Sequence, residues 1–402
     1  MGVGLLVAGY FLGRTIGPPP LEFPDRGEIR SAAEMEFAVD AALRMPRAFA
    51  RTVTLVRLFE GLNAENVEGA SRAVSGRAGR WDPIDLQLFL TAWVNLDPRA
   101  AMQEVESWPI RSRRELGVKI TMREWAASGA WLEAVDYLQT SLDPSARGVG
   151  AGPLVRGWAL GGDFEGALNL AQRLWQSEDR VDVVDGYVRG VLHVGGPEAA
   201  LDIAGRVDRK TESEFEQRLV RVTLDLVVRE DPTAAAHVYD EFVAEGTPEW
   251  LSGMLPRLAG IWRNKDSKAA LTWLLGLERS KTGDEVITRT MADWGIRDFG
   301  EAWGWFEAEH GSYDSEGLLS STDCLLLSGL LPKMARTRPA QASDWVMRLQ
   351  PGSDREGMLK RVARFWARED SEAVGRWIEG LSVSSADRDQ LREITQKEAP
   401  AG

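Results

Sequence analysis

A short pattern returns nine times along this chain: a residue that is most often acidic or small, three residues of any kind, then a small apolar one. It reads DPRAA from Asp97, AWLEA from Ala130, DFEGA from Asp163, GPEAA from Gly196 and DPTAA from Asp231. It continues as DSKAA from Asp266, DFGEA from Asp298, RPAQA from Arg338 and DSEAV from Asp370. The last residues of the copies are separated by 33, 33, 33, 35, 35, 32, 40 and 32 residues. A period in this range marks a stack of supersecondary units, none of which can bury its apolar face alone. One compact core stops growing at roughly 250–300 residues. A repeat is therefore a natural way to fold the 402 residues of this chain.

The chemistry of a single copy predicts a helix start. In Asp97–Pro98 and Asp231–Pro232 a carboxylate can accept from orphan N–H groups while proline, at the first helical position, loses no hydrogen bond. Asp298 and Glu301 have the spacing of an acidic capping box. The small residue four after the start lets this second helix approach the one before it. The preceding helix has start signals of its own at Thr211–Glu214, Thr282–Glu285, Ser353–Glu356 and Thr247–Pro248. The expected fold is all-α: an α-solenoid, or superhelix, of about ten antiparallel hairpins with a period of about 34 residues. Ser31–Glu34 opens a helix to about Met45, Pro46 starts another through Leu62, and Asn63 caps a third. Residues 31–80 thus read as an N-terminal helical cap, 81–395 as the solenoid and 396–402 as a frayed tail.

Aromatic residues keep register with the copies. Trp93, Trp262, Trp294 and Trp366 lie four residues before the start position, and Trp125 and Trp158 lie five before. Tyr137, Trp273, Trp305, Trp345 and Trp377 lie seven after it. Rings required in every repeat point to core, since each buries roughly 150–250 Å². The alternative is a ladder that grips glycan or peptide.

GGDFEGALNLAQRLW, from Gly161 to Trp175, resembles the middle of a tetratricopeptide repeat through Gly162, Asp163, Phe164 and Ala167. SGAWLEAVDYL matches in the same way at Gly129, Trp131 and Ala134. RFWAREDSEAVGRW, from Arg364 to Trp377, is similar to a variant found in bacterial envelope proteins, W-A-x-x-D-P-x-A-A-x-x-W. The resemblance covers roughly residues 60–380, though the family's Leu-Gly pair and first tyrosine of the leading helix are mostly missing. It implies a non-catalytic platform for protein–protein contact.

Acids outnumber bases by 61 to 48, a net charge of −13, and all of the excess lies in residues 121–402. Nucleic acid is held mainly by neutralising phosphates with Lys and Arg, so an acidic body argues against such a partner. A protein partner docking on the acidic part is expected to be basic. The most basic run, Arg111, Arg113, Arg114 and Lys119, reads as a solvated loop between helices. Residues 1–17 open with an uncharged apolar stretch, Gly2 to Gly13, too short to cross a bilayer alone. They read as an N-terminal membrane anchor, and the proline-rich residues 18–30 as a stiff linker holding the body off the membrane. The expected location is an envelope-anchored body in the periplasm. A soluble cytoplasmic adaptor is the alternative.

No familiar catalytic or nucleotide motif is present, so no catalytic, cofactor-binding or metal-ligating residues are expected. GVGAG, from Gly148 to Gly152, follows no strand and reads as a flexible link between helices. His193 and His237 stand apart, and Cys324 lies in an apolar helix without a basic neighbour in sequence. The spacing of 40 marks an insertion around residues 309–317. Glu301, Trp303, Glu307, Glu309, His310, Tyr313, Asp314 and Glu316 surround it, beside Trp305, and form the candidate interaction patch. Carboxylates among aromatics would also suit a carbohydrate-active helical toroid or a peptidoglycan-gripping solenoid. Short, nearly equal hairpins favour the open scaffold instead.

Overall fold

The computed structural model describes residues 31–76, 82–176, 182–310 and 318–398. Among these residues every regular element is a helix and no β-strand forms. The chain divides into two compact units, Met1–Val194 and Gly195–Gly402. In the first unit α1 (Ala32–Leu43), α2 (Ala48–Glu60) and α3 (Val67–Ser75) precede three hairpins. These are α4 (Pro83–Leu96) with α5 (Pro98–Ser107), α6 (Arg111–Ala127) with α7 (Trp131–Thr140), and α8 (Pro144–Leu160) with α9 (Phe164–Trp175). Helix α10 (Val183–Gly205) breaks at Gly196, whose φ of 71° is left-handed, and Pro197 starts its second half. This is where the GPEAA copy begins.

The second unit continues with α11 (Glu214–Val227) and α12 (Pro232–Val243), then α13 (Met254–Lys265) and α14 (Ser267–Gly276). Next come α15 (Lys281–Arg297) and α16 (Phe299–Glu309), α17 (Ser321–Thr337) and α18 (Pro339–Val346), and α19 (Ser353–Glu369) and α20 (Ser371–Gly380). Helix α21 (Ser385–Glu398) follows. Packing is local in sequence: a helix meets the next one and the one after it. The leading helices of successive hairpins therefore lie side by side, α4, α6 and α8 in the first unit and α11, α13, α15, α17 and α19 in the second.

Each acidic start in the pattern caps its helix. The carboxylates of Asp97, Asp163, Asp231, Asp266 and Asp298 accept from the third helical N–H at 2.9 Å, and that of Asp370 does so at 2.8 Å. Ala130 and Arg338 start α7 and α18 with no side-chain cap. The small residue four on is the tightest position of the fold. Ala101, Ala134, Ala167, Ala235, Ala270, Ala302, Ala342 and Val374 are at 0% exposure and Ala200 at 2%. Ala270 packs with Ala236 and Trp262 in one such cluster.

The aromatic register closes within four of the hairpins. Ring centroids are 5.4 Å apart in Trp125–Tyr137, 5.5 Å in Trp262–Trp273, 5.4 Å in Trp294–Trp305 and 5.6 Å in Trp366–Trp377. Trp93, Trp125, Trp158, Trp262, Trp294 and Trp305 are buried. Trp273, Trp345, Trp366 and Trp377 are half-buried, so the core reading holds for most of the register and only partly for these four.

Several start signals fall elsewhere than expected. Ser31–Glu34 is a complete capping box. Helix α11 is capped by Ser213 rather than Thr211, and α15 by Ser280 rather than Thr282. Gly352, with φ 150°, precedes α19. Thr247–Pro248 leads into a short 3-10 turn, Glu249–Leu251, and α13 begins only after Gly253. Asn66, not Asn63, stands at the start of α3, where the two asparagines hydrogen-bond each other's backbone. The Asp298–Glu301 box is half made, because the Glu301 carboxylate turns to the Trp294 indole at 3.0 Å. Helix α21 runs to Glu398, beyond the expected end at 395, and Arg364 and Arg368 hold that last glutamate.

The basic run is not a solvated loop. Arg111, Arg113, Arg114 and Lys119 all belong to α6. The Arg113 guanidinium is buried over the Trp108 ring at 4.3 Å and donates to the carbonyls of Val74 and Ser75. Burial brings its pKa down to about 10, against the pull of Glu104. Among the described residues no helix is long and apolar enough to cross a membrane. The expected anchor at 1–17 and linker at 18–30 lie outside the described residues.

Candidate functional site

Of the described members of the 301–316 patch, Glu309 and His310 come together around Trp305, while the others have separate environments. Trp303 is buried against Trp345, at 5.0 Å, and Phe306, at 5.6 Å, and belongs to the core. Glu301 is tied to Trp294. Glu307 is exposed, and Glu309 is exposed but paired with Lys268 at 2.9 Å. His310 packs on Trp305 at 4.7 Å, and its Nδ1 meets Asp323 Oδ1 at 3.0 Å. Ser320 directs its hydroxyl to the other oxygen of Asp323, at 2.6 Å. The hydroxyl is thus committed to the carboxylate rather than the imidazole, which is not the order of a nucleophilic relay. Tyr313, Asp314 and Glu316 lie outside the described residues.

Other candidates are placed as follows. His193 and His237 are exposed. Cys324 is half-buried with Sγ 3.8 Å from the Leu319 carbonyl, and Arg355 brings a guanidinium into electrostatic range that the local sequence does not reveal. Among the described residues no group of three or more His, Cys, Asp or Glu could hold a metal ion.

One concave feature belongs to the first unit and is built by the leading helices. Helix α4 gives Pro83 and Gln87; α6 gives Leu116, Lys119, Ile120 and Arg123; α8 gives Gly148, Val149, Gly152, Pro153 and Arg156. Asp182, Asp185, Gly186 and Arg189 complete it from α10 and its start. Within each helix these positions recur at intervals of three or four, so successive helices contribute the same face. The cleft has a volume of about 610 Å³. A second cleft of about 570 Å³ shares Gln87 and extends along α4 and α2 past Val56, Phe59, Leu62, Leu88, Ala92 and Leu96. The two clefts meet at Gln87 and are taken together as one groove, with the arginines at one end and, at the other, apolar side chains with Glu60 and Glu124 among the lining.

Glycine sets the shape of the charged end. A β-carbon on Gly157 would lie 2.1 Å from the Arg123 carbonyl oxygen, and one on Gly186 2.2 Å from that of Gly152. One on Gly190 would lie 2.9 Å from the Arg156 carbonyl oxygen. The backbones of α6, α8 and α10 therefore run almost in contact. Gly148–Gly152 is not a flexible link but part of α8 in this seam. The close crossing draws three arginines together. Arg123 is bound to Glu124 at 2.9 and 2.5 Å, and Arg189 to Asp185 at 2.6 Å. Arg156 lies between them, and among the described residues its buried Nε meets no hydrogen-bond acceptor. Burial, and then the charges of Arg123 and Arg189, push the Arg156 pKa down, against the pull of Asp185 and Glu124.

Sequence reading missed this site. The signal was present in the four-residue glycine spacings Gly148–Gly152 and Gly186–Gly190, which allow helix contact, and in cations at Lys119 and Arg123 on one face of α6. No family model, curated protein or solved structure matches the chain.

Proposed function

We propose that this chain is a non-catalytic α-solenoid that binds a polypeptide partner, with residues 1–17 tethering it to the bacterial envelope and the body in the periplasm. The observation that carries the binding role is the groove lined by one face of successive leading helices in the first unit. Apolar exposure follows the same distribution. Among the described residues the large exposed apolar side chains are Phe37, Phe49, Val56, Ile84, Leu96, Ile110, Leu132 and Val194 in the first unit, and Ile296 in the second. Scattered single apolar residues need no explanation, but their concentration in one unit, with Val56 and Leu96 lining the groove, suits a contact surface. The apolar start and the proline-rich 18–30 support the tether.

The test is photo-crosslinking capture with residues 31–402, followed by identification of crosslinked positions. Specific protein partners crosslinked to one surface are the expected result. Capture of none above background sinks the binding role. The tether is checked separately by fractionating full-length protein against a form lacking residues 1–17; equal solubility of the two removes it.

A further inference from the structure

We infer that the groove of the first unit docks an acidic–apolar polypeptide segment, with a carboxylate at Arg156 and apolar side chains in the stretch that contains Val56 and Leu96. The inference rests on the polypeptide-binding role and adds the place and the chemistry. Charge complementarity decides the occupant. Of the three clustered arginines, Arg123 and Arg189 have carboxylate partners within the groove wall. Arg156 Nε meets no hydrogen-bond acceptor among the described residues, and burial and its two arginine neighbours outweigh the pull of Asp185 and Glu124. A guanidinium so placed is completed by an anion, and charge-assisted hydrogen bonds to carboxylates are the stronger kind. Lys119, exposed on the same wall, adds a second cation.

The apolar end decides the rest of the occupant. A free small anion would fill only the charged cleft and leave the cleft of about 570 Å³ unused. A polypeptide segment fits both, since one chain can carry an acid and apolar side chains a few residues apart. Nucleic acid would repeat anions along the groove, but Glu60 and Glu124 line the second cleft and oppose that. The partner segment is thus acidic although the whole protein has a net charge of −13. At contact distance the local groups outweigh a screened net charge.

The experiment is selection of displayed random dodecapeptides on the full chain, in parallel with Arg156→Gln, Lys119→Gln and Arg156→Lys. The wild-type pool is expected to be enriched in Asp or Glu together with Leu, Ile and Val. Binding of a selected peptide should weaken about tenfold or more with Arg156→Gln, less with Lys119→Gln, and be largely kept by Arg156→Lys. Higher salt should weaken binding to the wild type more than to Arg156→Gln. Circular dichroism checks that Arg156→Gln stays folded; if it does not, the exposed Lys119→Gln and the salt dependence decide. An empty pool, a basic pool, or acidic peptides indifferent to both Gln variants overturns the proposal. Displacement by inorganic phosphate at equal concentration reassigns the cleft to a phosphate site and also overturns it. Crosslinks from partner capture that map only to the second unit would sink this groove while leaving the platform role intact.

Discussion

A β-carbon at Gly157 has nowhere to go. It would meet the Arg123 carbonyl oxygen, which belongs to the backbone of α6 and cannot rotate aside. Gly157→Ala must push α6 and α8 apart, and overpacking of this kind costs roughly 1–3 kcal/mol. Gly260 in α13 is the control, since nothing lies within 4 Å of its would-be β-carbon. Gly260→Ala should stabilise by about 0.4–1 kcal/mol through the unfolded chain. Urea titration of both variants measures the pair; the same sign for the two would refute the close-crossing argument. Asp240 offers a second residue-scale test. Burial raises its pKa, although the Trp273 indole at 3.0 Å and His237 act to lower it. A carboxyl raised in the folded state contributes stability fully below its unfolded pKa and loses it as pH rises through the folded value. Asp240→Asn keeps an acceptor for the indole and removes the charge. The variant should match or exceed the wild-type melting temperature near pH 7 and lose that advantage by about pH 3, below the ordinary carboxylate value of about 3.9. A larger deficit near pH 7 than at low pH would contradict the sign.

Two devices recur along the hairpins, an acid-capped start and an aromatic pair, and the hairpins that begin with Asp266, Asp298 and Asp370 have both, so the two can be separated by mutation. Asp266→Ala removes one cap bond to the Ala269 N–H and should cost about 1 kcal/mol. Trp294→Ala empties a buried site at 4% exposure and should cost about 3–5 kcal/mol. Trp366 holds the equivalent place in α19 but is half-buried, so Trp366→Ala should cost clearly less. Thermal denaturation of the three variants gives the order, and equal losses for the two tryptophans would break the link between burial and role. These devices were legible in the sequence because they are short-range: Asp97 to Ala100 is one turn, and Trp294 to Trp305 spans one hairpin. Starts chosen by competition between near neighbours were less legible. Ser280 captures the Gly283 N–H before Thr282 can act, and Ser213 does the same ahead of Thr211's partner. The groove was hidden for another reason. Its arginines sit on three different helices, and only the glycine seam brings Arg123, Arg156 and Arg189 together.

At the scale of the molecule, charge and packing divide along the same line. Residues 1–194 carry 21 bases and 25 acids, a net of −4, which leaves 48 − 21 = 27 bases and 61 − 25 = 36 acids, a net of −9, for residues 195–402. The unit with the groove is thus the nearer to neutral, and the other carries most of the repulsion that keeps an acidic protein apart from its copies. Packing is mainly with the next helix and the one after it, with Arg113 of α6 reaching back to α3 as a longer tie. In such an array stability is close to a sum of repeat terms and nearest-neighbour interfaces, so damage stays near its origin. Gly157→Ala strikes the interface of α6 with α8, and the helices that share contacts with them are α4, α5, α7, α9 and α10, with α3 reached through Arg113. Hydrogen exchange resolved by peptide should show faster exchange in α6 to α10, a smaller change in α4 and α5, and none from α13 onward. Sub-global opening of this kind is what exchange reads directly. Uniform loss of protection through α19 would mean that the whole chain unfolds as one cooperative body, and the additive-repeat account would then fail.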